Sequence, residues 1–122
     1  MQQAAKAYGA VAQQIASPRE LEASVLLNAA SRLQAVRDGW ESKAGDDLSD
    51  ALLYNRKLWA VFMTSVTGAD SQLPAQIRQN VANLGLFVMN QTISLIAEPQ
   101  REKLATLINI NRELAAGLLG RA

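Results

Sequence analysis

The sequence predicts an all-α protein: a compact helical bundle of four main helices plus a marginal N-terminal helix, with residues 1–122 forming one domain. Three observations lead there. Apolar residues recur at spacings of three and four in five successive segments, most of them bounded by turn or capping residues. No segment shows the apolar–polar alternation that a half-buried strand requires. Hydrophobic residues make up 49% of the chain but aromatics only 5%, so the core must be assembled mostly from Leu, Val, Ile and Ala. A chain of 122 residues buries roughly two-thirds of its extended surface on folding, enough to hold a core without metals or disulfides.

The first element is the weakest. Ala4, Tyr8, Val11 and Ile15 follow four, three, four spacing, but alanine buries little and Gly9 costs roughly 1 kcal/mol of helix stability relative to alanine. Such a segment depends on docking. It reads either as a displaceable cover over a groove or as an ordinary fifth core helix. The second element opens at Ser17-Pro18-Arg19-Glu20, where Ser17 caps, Pro18 takes the first helical position and Glu20 completes a capping box. Val25, Leu26, Ala29, Leu33, Val36 and Trp40 then predict a helix from Pro18 to Ser42, on the order of 37 Å long.

Asp46 and Asp47 suit the start of the next helix, since carboxylates cap orphan amides and favour the positive end of the dipole. Leu48, Leu52, Asn55, Trp59, Phe62 and Val66 are spaced four, three, four, three, four, which keeps one seam against one neighbour. Residues 67–72 are rich in turn formers, and Pro74 opens a helix carrying Ile77, Val81, Leu84, Val88, Thr92 and Leu95. That helix ends near Glu98-Pro99. The last runs from about Gln100 to Leu119, with Leu104, Leu107, Ile108, Asn111, Leu114 and Leu118 on one face and Gly120 as its stop.

Composition excludes most catalytic chemistry. The chain has no cysteine and no histidine, so disulfides, thiolate catalysis, imidazole acid–base work and the usual transition-metal sites fall away. No enzyme activity, cofactor or metal is expected. The acidic cluster Asp46, Asp47 and Asp50 lacks the ligand number and the fixed glycine of a calcium loop and is read as capping. No phosphate-cradling glycine loop occurs. Twelve Lys and Arg balance 11 Asp and Glu, a net charge of +1, which offers no broad field for nucleic acid or anionic lipid. The uncharged stretch from Gln79 to Ala97 is interrupted by Asn and Gln at helical spacing and is not a membrane span. The N-terminus lacks the continuous apolar run of a secretory signal, so a cytoplasmic location is expected.

The segment Tyr54-Asn55-Arg56-Lys57-Leu58-Trp59 places an amide, two cations and two aromatics within two helical turns. Two cations are too few for a nucleic-acid surface, and Trp59 falls on the apolar seam, where core packing is expected. Asn55 and Asn111 both occupy seam positions where leucine would stabilise more. Either they satisfy each other or nearby backbone and fix helix register, or they lie under a groove and bind another chain.

Several segments together resemble the FlaF family of small flagellar regulators found in alphaproteobacteria. They are Ala7-Tyr8-Gly9, residues 17–23 (Ser17 to Ala23), residues 51–59 (Ala51 to Trp59), residues 73–80 (Leu73 to Asn80) and residues 110–118 (Ile110 to Leu118). The resemblance covers nearly the whole chain in order. It implies a cytoplasmic, non-enzymatic protein needed for flagellin production and filament assembly, acting with flagellin as a secretion chaperone and opposite FlbT, a regulator of flagellin messenger RNA. The expected partner is therefore flagellin, bound helix-in-groove, with FlbT as a second candidate. The alternative is a post-transcriptional regulator acting on messenger RNA or on an RNA-binding regulator such as FlbT; a structural part of the export apparatus ranks third. Tyr8, Asn55, Arg56, Asn111 and Arg112 are the expected partner contacts.

Overall fold

The computed structural model describes residues 18–41 and 46–120. Four α-helices follow one another: α1 (Pro18–Asp38), α2 (Asp46–Thr67), α3 (Ala75–Ala97) and α4 (Leu104–Leu118), the last entered through a short 3-10 turn at Arg101–Lys103. No strand occurs among the described residues, and the helices pack as the all-α bundle that the apolar spacing predicts. The expected N-terminal helix, Tyr8 and the Ser17 cap lie outside the described residues.

α1 carries Glu20 in its first turn and Arg37 in its last, both matched to the helix dipole. Its end comes sooner than Ser42. Gly39 donates its N–H to Ala35 and the chain turns there, because glycine makes continuing the helix costly. The buried face is Ala23, Leu26, Ala29, Ala30 and Leu33. Val25, expected in the core, is 38% exposed. The alanines explain the difference: small side chains let neighbouring helices approach along their row, and Val25 is left on the flank.

In α2 all six seam residues, from Leu48 to Val66, are buried. Trp59 and Phe62 meet edge to face, with centroids 5.7 Å apart and planes at 89°, a favoured aromatic arrangement. α3 buries Val81, Gly85, Val88, Thr92 and Leu95, while Leu84 is half-buried and Ile77 is exposed. The buried Thr92 hydroxyl donates to the Val88 carbonyl, so the polar atom is satisfied inside its own helix. The Glu98 N–H closes α3 on Ser94, and Pro99 follows. α4 buries Leu104, Leu107, Ile108, Asn111 and Ala115. Gly120, at φ +74°, ends it in the left-handed conformation and donates its N–H to Gly117.

α1 packs most extensively on α4, and α2 bridges α1 and α3. The Arg101 guanidinium donates to the Arg37 carbonyl at 2.9 Å, tying the start of α4 to the end of α1 and setting that pair antiparallel. At Gly85 on α3 an added Cβ would run into the Met63 side chain of α2. α3 and α4, although consecutive, approach each other far less at the backbone. A groove lies between them.

Candidate partner-binding grooves

The five residues expected to meet a partner fall into three groups. Asn55 and Asn111 are fully buried. Trp59 Nε1 donates to Asn111 Oδ1 at 2.9 Å, and Asn111 Nδ2 donates to Asn55 Oδ1 at 2.7 Å. An indole N–H can only donate, so Asn111 must turn its oxygen to Trp59 and its nitrogen to Asn55. The two amides thus hydrogen-bond directly across α2 and α4. The expectation that they contact a partner is corrected: neither side chain reaches the surface. Two buried side-chain atoms, Asn55 Nδ2 and Arg78 Nε, have no hydrogen-bond partner among the described residues.

Arg56 is exposed on α2. Arg112 is exposed on α4 and donates to Gln34 Oε1 of α1 at 3.2 Å. They do not join Asn55 and Asn111 in one surface, and Tyr8 lies outside the described residues. The other aromatic in the Tyr54–Trp59 segment is held on the α1–α2 face. Arg32 stacks its guanidinium 4.1 Å from the Tyr54 ring centroid, and Asn28 Nδ2 donates to the Tyr54 hydroxyl at 3.4 Å.

Apolar surface instead gathers in two grooves. The larger, about 520 Å³, separates α3 from α4. Leu73, Ile77, Val81 and Leu84 form one wall; Ile110, Leu114 and Leu118 form the other. Arg19, from the first turn of α1, lies at one end, and Glu113 is the one carboxylate in the lining. The sequence assigned Ile77, Leu84, Leu114 and Leu118 to the core. Their partial exposure arises because α3 leans on α2 and leaves α4's flank open, a choice of neighbour that helical spacing does not encode.

The smaller groove, about 260 Å³, runs between α1 and α2 and is lined by Leu21, Val25, Leu58, Val61 and Phe62 with Glu22 and Ser65. Burial there pushes the Glu22 carboxyl above its ordinary pKa, and Arg19 nearby partly offsets the rise. Beyond the grooves, Leu86 and Ile93 stand on the outer side of α3 with 62% and 60% of their surface exposed.

Among the described residues, no group of three or more His, Cys, Asp or Glu side chains is placed to hold a metal ion. A polar groove beside the α1–α2 connection brings Arg32 together with Asp47 and Asp50, side chains of opposite charge. No described helix is long and apolar enough to cross a membrane.

The family model of the flagellar protein FlaF matches residues 4–118, which includes all four helices and most of the segment before α1. The chain belongs to the FlaF family. No curated protein and no solved structure matches it. FlaF membership makes this a flagellar protein, and it fits the segments from Ser17 to Ala23, Ala51 to Trp59 and Ile110 to Leu118 that carry the resemblance. In this FlaF chain those segments lead into α1, build the buried Asn55–Asn111–Trp59 network and line the α3–α4 groove.

Proposed function

We propose that this FlaF-family protein is a non-enzymatic cytoplasmic secretion chaperone that binds flagellin and thereby supports flagellin synthesis and filament assembly. The observation that carries this reading is the α3–α4 groove. A client helix with apolar residues at spacings of three and four can lay that face between Ile77 and Leu84 on one side and Ile110 and Leu114 on the other. Binding of this kind uses apolar burial and needs no catalytic group. A net charge of +1 and a lining with one arginine and one carboxylate leave little for a phosphate backbone to grip.

Mixing the purified protein with monomeric flagellin on a sizing column tests the proposal. Co-elution that persists at moderate salt is the expected result, because apolar contacts are weakly screened. Failure to form a complex with any cognate flagellin, alongside tight RNA binding that falls steeply with salt, would replace it with regulation at messenger RNA. Complex formation with FlbT but not with flagellin would also overturn it and make FlbT the partner.

A further inference from the structure

We propose that the outer face of α3 joins two copies of this chain in a parallel dimer, each copy offering the same face across a two-fold axis. The proposal is independent of the flagellin reading, because none of the residues that form this face lines either apolar groove.

α3 carries two rows of heptad spacing on opposite sides. Val81, Gly85, Val88, Thr92 and Leu95 form the buried row. Gln79, Asn83, Leu86, Asn90, Ile93 and Ala97, spaced four, three, four, three, four, form the other, and every one of them is exposed. Leu86 and Ile93 are its apolar centre, and Phe87 and Ile96 stand exposed on its two flanks. The solvent face of a helix in a small bundle is ordinarily charged: α1 exposes Glu20 and Arg32, α2 exposes Arg56 and Lys57, and α4 exposes Arg112 and Glu113. α3 has no charged residue between Arg78 and Glu98. Depletion of charge around exposed aliphatic and aromatic side chains marks the centre of an interface.

The asparagines select the occupant. Under an arbitrary apolar helix Asn83 and Asn90 would be covered without partners, which costs affinity. Against a second copy in parallel register each position meets itself: Leu86 on Leu86, Ile93 on Ile93, and Asn90 on Asn90, whose amides both donate and accept. Reversing one strand exchanges the spacings of three and four and sets Asn90 against Leu86 or Ile93, so the parallel alignment is the matched one. Asparagine within an apolar seam is also a device that fixes register and a two-stranded state. α3 is already folded against α2, so pairing has no helix to order.

Sedimentation of the full chain at concentrations from about 1 to 100 µM tests the dimer. The expected result is a species of twice the 13.2 kDa chain mass, with Leu86→Asp and Ile93→Asp each monomeric at the helical content of the parent. Val61→Asp, which charges an exposed valine of the α1–α2 groove, should stay dimeric. A parent that is monomeric throughout, a dimer that survives both α3 variants, or one that is lost in Val61→Asp alone would overturn the proposal. The absence of cysteine makes the strand direction accessible as well. Asn83→Cys and Ala97→Cys mark points two heptads apart, about 21 Å along the helix. In a parallel pair each variant oxidises by itself to a disulfide-linked dimer. Cross-linking found only between the two variants when mixed would overturn the parallel alignment, and none in any sample would overturn the interface. Both cysteine variants keep Leu86 and Ile93, so their cross-linking decides the matter should a charged variant lose helix.

Discussion

Trp59 is the residue on which the interior turns, because it is fully buried, stacks edge to face on Phe62 and fixes the orientation of Asn111 by donating to it. Trp59→Ala should cost roughly 3 to 5 kcal/mol in urea unfolding, the range for removing a large buried aromatic. Arg56→Ala on the exposed face of the same helix should stay within about 0.5 kcal/mol, and a larger loss would mark Arg56 as structural. Asn111→Leu is more informative. It leaves the Trp59 N–H and the Asn55 oxygen without their partners, so the chain should lose roughly 1 to 3 kcal/mol despite gaining an apolar side chain. Replacing Asn55 and Asn111 together by leucine should recover part of that loss, which a double-mutant cycle measures directly. The sequence announced both amides as misfits on apolar seams and left open whether they served register or binding. Their pairing decides for the interior. Spacing within each helix could not show that α2 and α4 bring positions 55 and 111 together, because it is silent on which seams face one another.

At the level of helices, the legible parts were those whose buried face is made of large residues. The α2 seam was read without error because Leu, Trp, Phe and Val fill every seam position but that of Asn55. In α1, Leu26, Ala29 and Leu33 are buried as expected and Val36 and Trp40 pack on the core, while Val25 is exposed because Ala23 and Ala30 do the packing there and alanine gives little apolar signal. Gly85 was missed for a similar reason: its value is the room it leaves Met63 where α2 meets α3. Gly85→Leu should therefore destabilise by about 1 to 3 kcal/mol, as overpacking a closed contact does, and thermal melting of the variant checks it. Glu22 on α1 gives a pH test. Its folded carboxyl holds a proton more tightly than the unfolded chain does, since burial raises its pKa above the ordinary 4.5. That linkage favours the folded state in acid below 4.5 and is lost as pH rises through the raised folded value. Glu22→Gln should accordingly shift the urea midpoint upward at neutral pH, with the gain shrinking as pH falls through the raised folded value towards 4.5; a constant difference across that window would contradict the assignment.

For the molecule as a whole, α1 packs on α4 and α2 packs on both α1 and α3, while the larger apolar groove opens between α3 and α4, and function is proposed for that groove. The all-α class and the FlaF family were legible from the residues alone. The groove was not, since Ile77, Leu84, Leu114 and Leu118 look like core in a helical pattern and only the tertiary arrangement exposes them. The most direct test of flagellin binding through this groove is calorimetric titration of monomeric flagellin into the full chain and into Ile77→Asp, Leu114→Asp and Val61→Asp variants, each checked for helical content by circular dichroism. The parent should bind with a negative heat-capacity change, the signature of apolar burial. Ile77→Asp and Leu114→Asp should weaken binding by about tenfold or more, equivalent to at least about 1.4 kcal/mol each, while Val61→Asp binds like the parent. Folded groove variants that bind flagellin as tightly as the parent, or loss of binding confined to Val61→Asp, would contradict the account.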